Sequence, residues 1–260
     1  MSAGRSLFWV STLVLVTAAA VLAVLGARWL GLIALVGYAG VLLAGVMIPH
    51  LAMFAPVVLH LDRTRQEIAL TFDDGPGSAS TREVLAILAR FEARATFFVL
   101  GEKVRHAPDV LREIAEAGHE IGIHGDWHDR LLSLRTPERI VADIERARDA
   151  VAAVIGRRPR LFRPPLGHVS PRTAVAVKRL GLTLVGWSVR ARDGLAGATA
   201  ESVQRRVAAG LLPGAIILLH DAAECGERVP AGVAALPGIL AEAARRGLRS
   251  VPISPSDVPS

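Results

Sequence analysis

Short β-prone runs alternating with longer helical segments predict an α/β fold with a parallel sheet and helical crossovers. Three observations carry that reading. Seven apolar runs of strand length occur between Ile68 and Val251, helix start and stop signals fill the intervals, and unusual polar residues follow the strands directly. About 190 residues hold this pattern, which suits a small β/α barrel or a doubly wound sheet.

Ahead of it, Leu7 to Leu25 is a charge-free apolar run, and a second runs from Leu30 to Ile48, where Pro49 interrupts it. Each is long enough to span a bilayer, and Trp9 and Trp29 sit near the ends, where amphipathic rings prefer the interface. Leu25 and Ala27 make a poor small-x-small cleavage pair, so a transmembrane helical hairpin (about 7–25 and 30–48) is expected rather than a cleaved signal. Residues 50–65 read as an interfacial linker, since Pro49 and Pro56 oppose a continued helix. The domain reading is therefore an anchor over 1–61 and a globular domain over 62–260.

The strand candidates are Ile68–Phe72, Ala95–Leu100, Glu120–Ile123, Leu161–Phe162, Thr183–Trp187, Ala215–Leu219 and Leu248–Val251. Thr136-Pro137 and Ser170-Pro171 read as N-cap and first turn, and Gly118, Gly156, Gly181 and Gly247 as helix stops. Arg139 to Asp149 looks like a solvated helix face.

Hydrophobic residues make up 52% of the 260, and of 30 Lys and Arg only Arg5 and Arg28 precede Leu61. Of the net charge of +6, Arg5 and Arg28 carry +2 and the globular part the remaining +4, which favours an anionic glycan or acidic headgroups. Nucleic acid is not expected as a partner, because the basic residues are scattered singly and aromatics are few. The single cysteine, Cys225, excludes an intramolecular disulfide and reads as a loop or packing residue.

Asp73-Asp74 follow the first strand, His124 and His128 the third, Arg163 the fourth, Asp193 the fifth and His220-Asp221 the sixth. In parallel β/α architectures the strand C-termini form the active face, so these residues converge on one pocket. Imidazoles at i and i+4 project from one face of a helical turn, and a carboxylate from another strand would complete a two-His, one-carboxylate site open to water. Adjacent carboxylates repel; a cation relieves this by taking one as ligand and leaves the other as general base. Asp126 is expected to point away from the metal, His119 to be structural, and Asp221 to stabilise its turn. His168 reads as a surface loop residue within reach of substrate.

Thr71–Pro76 (TFDDGP) resembles the first motif of the polysaccharide deacetylase family, carbohydrate esterase family 4 with its NodB-homology domain. His124–His128 resembles its second, Arg163-Pro164-Pro165-Leu166-Gly167 its third, Trp187–Gly194 a degraded fourth and Leu218-Leu219-His220-Asp221 its fifth. The likeness runs over about residues 67–252. It implies a distorted (β/α)7 barrel of the NodB-homology type and a metal-dependent carbohydrate deacetylase. Asp74, His124 and His128 would hold one divalent ion, most simply Zn²⁺, with Co²⁺ or Ni²⁺ as alternatives. Asp73 would be general base and His220 general acid. Arg163 would pair with Asp73, Asp193 would tune His220, and the Leu166 backbone N–H would donate to the oxyanion. Against the family pattern, Gly125 replaces Ser or Thr, Leu166 replaces an aromatic, Arg190 replaces Asp and Gly194 replaces Trp.

The expected substrate is an acetylated amino-sugar glycan of the cell envelope, with N-acetyl favoured over O-acetyl. Two rivals stand beside it: a lipid-linked sugar at the bilayer, and a tethered glycan-binding protein without catalysis. Arg5, Arg63 and Arg65 favour a cytoplasmic amino terminus and domain, and Arg28 a cytoplasmic hairpin loop. The substrate argument outweighs charge and puts the catalytic domain outside the plasma membrane.

Overall fold

The computed structural model describes residues 3–254; the side chains of Arg5 and Leu7, which bear on orientation and on the first apolar run, lie outside the described residues, as does the C-terminal tail. Two helices come first, α1 (Ala3–Val24) and α2 (Arg28–Met47), joined by a turn at Leu25–Ala27. The Thr12 and Tyr38 hydroxyls lie 3.0 Å apart between them. Most of their large apolar side chains are exposed, including Val24 at 87% and Trp29 at 80%. By length and composition α2 is able to cross a membrane, its 20 residues rising about 30 Å; the apolar part of α1 described, Phe8–Val24, is shorter.

The remaining elements alternate in order: β1 (Glu67–Asp73), α3 (Ser80–Arg90), β2 (Ala95–Leu100), α4 (Gly101–His106), α5 (Pro108–Glu116), β3 (Glu120–Gly125), α6 (Pro137–Ile155), β4 (Leu161–Phe162), α7 (Pro171–Leu180), β5 (Thr183–Leu184), β6 (Val189–Arg190), α8 (Ala200–Gly210), β7 (Ile216–His220), α9 (Ala231–Arg245) and β8 (Arg249–Ser250). The strands pair in parallel in the order β5-β4-β3-β2-β1-β7-β6, with β8 alongside the start of β1. The edge strands β5 and β6 are separated in sequence only by residues 185–188. That connection spans at most about 18 Å, whereas the edges of a flat sheet of seven strands would lie about 29 Å apart. The sheet must therefore curl, and it forms a half-barrel rather than a closed ladder.

The strand expected over Thr183–Trp187 is thus corrected to Thr183–Leu184, with a second short strand, Val189–Arg190, lying beyond the expected range. Residues 185–188 turn the corner, with Val185 N–H donating to Phe162 O at 2.9 Å and Ser188 N–H to Ile216 O at 2.9 Å. The stretch read as an interfacial linker also contributes to the barrel: Val58 N–H donates to Leu184 O (2.9 Å), Gly186 N–H to Val58 O (2.8 Å) and Leu61 N–H to Gly214 O (2.9 Å). Val58 is 2% exposed and packs inside the barrel with Ala69, Phe98, Leu161, Trp187 and Ile216.

Strand alternation sorts the rest. Ile68, Leu70 and Phe72 of β1 join the larger core under the helices, while Ala69 lies in the interior. The same alternation puts Thr71 and Asp73 on the interior line. Ser170 caps α7, its hydroxyl accepting from Thr173 N–H at 3.1 Å, Thr136 caps α6, and Gly156 and Gly181 end these helices in left-handed conformation. The solvated face expected over Arg139–Asp149 is corrected at Asp143. It is 6% exposed, accepts from Asp126 N–H at 3.0 Å, and has its pKa pushed up to about 6 by burial.

Candidate active site

The half-barrel opens at its strand C-termini into a cavity of about 580 Å³ lined by Asp73, Asp74, His124, His128, Leu166 and His220 among others. Asp73 ends β1 facing inward. Consecutive strand residues point to opposite faces, so Asp74 reaches the same cavity only because its backbone turns left-handed, at φ 71°. Leu166 (φ 59°) and Arg192 (φ 58°) also line the cavity, so three of the five described non-glycine residues at positive φ gather here. Such backbone is concentrated at functional sites.

The two histidines do not share a helical turn, which corrects the i, i+4 reading. His124 lies in β3 and His128 in the loop beyond it. They meet because Gly125 adopts φ 112°, where a Cβ would stand 2.9 Å from Trp127 O; the residue that replaces Ser or Thr of the family pattern thus bends the chain. Their ring centroids are 5.2 Å apart. His124 Nδ1–H donates to Arg163 O at 2.7 Å, which leaves Nε2 free on the cavity side. Burial holds its pKa below the ordinary histidine range despite Asp73 and Asp74, so the ring is neutral, the ligating form. Glu224 Oε1 is 2.9 Å from His128 Nδ1, though out of line for a hydrogen bond, and Arg130 holds Glu224 at 2.6 Å.

Asp74 Oδ1 lies 3.5 Å from His124 Nε2 and 3.6 Å from His128 Nε2, buried and without a hydrogen-bond donor. A tetrahedral zinc with bonds of about 2.0–2.1 Å sets its ligand atoms about 3.3 Å apart. An orphaned carboxylate oxygen and two imidazole nitrogens near that spacing fit a divalent ion.

Two buried residues stand behind the cavity wall. Arg163, 0% exposed, donates from Nη1 to Asp73 Oδ1 (2.7 Å) and Thr71 Oγ1 (2.8 Å) and from Nη2 to Gly186 O (2.7 Å), with its guanidinium 4.1 Å from the Phe98 ring centroid. Asp193, also 0% exposed, accepts from His220 N–H at 2.9 Å and from Nδ1–H at 2.8 Å, which turns Nε2 toward the cavity. Burial works against protonation of His220, but Asp193, Asp73 and Asp74 outweigh it and raise its pKa to about 9. The Leu166 N–H has no acceptor among the described residues.

Asp126 is held away from the cluster by Arg105 (2.8 Å) and Arg146 (2.9 Å). His119 Nδ1 accepts from Ala95 N–H at 3.2 Å, and Asp221 accepts from the Thr81 hydroxyl. His168 is half-buried and does not line the cavity; Cys225 is exposed and does. Sequence reasoning passed over Glu224 and Lys103. The Lys103 ammonium donates to Asp74 O and Ala223 O, both at 2.6 Å, tying the first catalytic-face loop to the last. Glu224 lies only four residues beyond His220, a usable signal; Lys103 carries none, because its acceptors are backbone atoms.

A curled parallel half-barrel with an open Asp–His–His cluster at its mouth places the protein among β/α barrels built around a candidate metal centre. The polysaccharide deacetylase family profile matches residues 60–185. A peptidoglycan-N-acetylglucosamine deacetylase of Bacillus cereus is 35% identical over 189 residues, 72% of this chain and 86% of that protein. The Listeria monocytogenes peptidoglycan-N-acetylglucosamine deacetylase PgdA is 38% identical over 159 residues, 61% of this chain; the chain spans only 33% of its length. A family 4 carbohydrate esterase from Streptomyces lividans, solved with acetate, superposes with a TM-score of 0.67 at 32% identity, covering 74% of this chain and 95% of that one. The chain belongs to the polysaccharide deacetylase family.

Proposed function

We propose that this chain is a zinc-type metal-dependent deacetylase of N-acetylated amino-sugar glycans, tethered to the plasma membrane by residues 1–61, with residues 62–260 as its catalytic domain outside. The observation that carries the reading is the convergence of Asp74, His124 and His128 on one point, with Asp73 and His220 beside them. Relatives named for peptidoglycan N-acetylglucosamine support the substrate class.

Asp74, His124 and His128 hold the ion, which when bound acts as a Lewis acid toward the acetyl carbonyl and lowers the pKa of water. Asp73 receives the proton of the attacking water through Oδ2, its Oδ1 being fixed by Arg163. The Leu166 N–H donates to the oxygen on which negative charge develops. His220, aligned by Asp193, whose carboxylate favours its protonated form, gives its proton from Nε2 to the departing amine. Acetate and a free amino sugar result. Arg163 and Asp193 are positioning residues.

The test is a pair of variants. Asp73→Asn keeps an oxygen for Arg163 and the metal ligands, so it should retain metal and lose turnover by about 10²–10⁴. His220→Ala should do likewise. Loss of metal from Asp73→Asn would mean that Asp73 and Asp74 have exchanged roles. Orientation is read separately by a fusion after Ser260: alkaline phosphatase is expected to be active there, and an inactive fusion would place the domain inside.

A further inference from the structure

The end of α2 meets the barrel at its catalytic face. Val169 N–H, in the loop after β4, donates to Val46 O near the end of α2 at 3.1 Å. Gly167 lies in the same loop against Trp187, where an added Cβ would come 3.1 Å from Pro49 Cγ. Gly167 and Trp187 both line the active-site cavity. One cavity wall is therefore built on the residues that leave the membrane helix.

The rim has a matching composition. Among the described residues beyond 61, nine large apolar side chains are exposed, and six of them stand in loops that follow strands at the catalytic face: Trp127, Leu131, Leu134, Leu166, Leu195 and Val229. Only Phe91 and Leu212 lie in loops at the opposite end. Apolar side chains collected around one mouth, on the side that meets α2, fit a surface resting on lipid.

The charges at the mouth complete the pattern. Arg190 and Arg192 line the cavity, and neither meets a carboxylate among the described residues. The Arg190 guanidinium lies 5.9 Å from the Trp187 ring centroid, on the wall nearest the anchor. The departures from the family pattern point the same way. Arg190 stands where the pattern has Asp, and Leu166 and Gly194 where it has aromatic residues. A neutral glycan stacks on aromatics; a phosphorylated headgroup at a bilayer is held by arginine.

We infer that the catalytic mouth lies on the bilayer surface and takes an acetylated sugar joined through phosphate to a membrane lipid, with Arg190 and Arg192 receiving the phosphate. This deepens the deacetylase and anchor readings and rests on them. The α2–Val169 junction sets the height of the mouth, the apolar rim seats it among the headgroups, and the sugar enters the cavity from below without leaving its lipid.

Two measurements test it on the full chain, metal-loaded, in phosphatidylcholine vesicles. First, an environment-sensitive dye is placed on Cys225, the single cysteine, which lines the cavity. Brominated phosphatidylcholine should quench it; an unquenched dye overturns the proposal whatever the activity. Second, initial acetate release is compared for N-acetylglucosaminyl-diphosphoryl-polyprenol in the vesicles, UDP-N-acetylglucosamine, and N-acetylchitotetraose. The lipid-linked sugar should be at least tenfold faster than either soluble one. In Arg190→Gln the ratio of lipid-linked to chitotetraose rates should fall at least tenfold, and Arg190→Lys should restore part of it. Equal or faster turnover of chitotetraose overturns the proposal, as does UDP-N-acetylglucosamine matching the lipid-linked sugar, which would assign phosphate recognition without the bilayer. Quenching with no acetate from any substrate would refute the deacetylase reading itself, and the substrate assignment with it.

Discussion

At the scale of single residues, much of the candidate site is legible in the sequence, because ligands, acids and bases need particular functional groups. Asp73, Asp74, His124, His128, Arg163, Asp193 and His220 fall together as their spacing after strands suggests. Backbone conformation is not legible: the left-handed turn that brings Asp74 round, and the glycine bend that brings His128 to His124, carry no side-chain signal of their own. Residues acting through backbone atoms, such as Lys103, are hidden for the same reason. Asp193 gives a residue-scale prediction. His220 must be protonated to act as acid, so activity falls as pH rises through its pKa, which Asp193 helps raise to about 9. Asp193→Asn removes the charge and weakens the hydrogen bond, so the pKa drops and the alkaline limb of the kcat/KM profile should move to lower pH. A lower rate with an unmoved limb would contradict the role given to Asp193.

At the scale of elements, β1, β2 and β7 are readable because they are long apolar runs at the centre of the sheet, buried on both faces. The edge pieces β5 and β6 are two residues each and owe their place to the corner between them, which no local preference encodes. The burial of Val58 is likewise a tertiary effect, since an apolar residue after a proline reads equally well as interfacial. Helix ends are more legible, because caps are chemical. Ser170 caps α7 and also donates to Ser133 O at 2.6 Å, joining the loop after β3 to the loop after β4. Ser170→Ala should cost about 1–2 kcal/mol, from the lost cap and an unsatisfied buried carbonyl. Thermal unfolding in detergent reads this, and an unchanged midpoint would contradict it.

At the scale of the whole molecule, a curled sheet makes residues spread from Asp73 to His220 neighbours, and its strand C-termini give them one cavity. The half-barrel follows from a short connection between edge strands, so the architecture and the cavity share one cause. The end of α2 meets the wall formed by Gly167, Trp187 and Val169, so under the proposed anchoring the membrane and the chemistry are adjacent. The account depends most on the divalent ion proposed for Asp74, His124 and His128. The direct measurement is a zinc titration of chelator-stripped full-length protein, with acetate release from an N-acetylated glycan followed at each step. Activity should rise in proportion to zinc and level off at about one ion per chain, and Asp74→Ala should neither bind nor turn over. Full acetate release from a preparation verified to be metal-free would contradict the account.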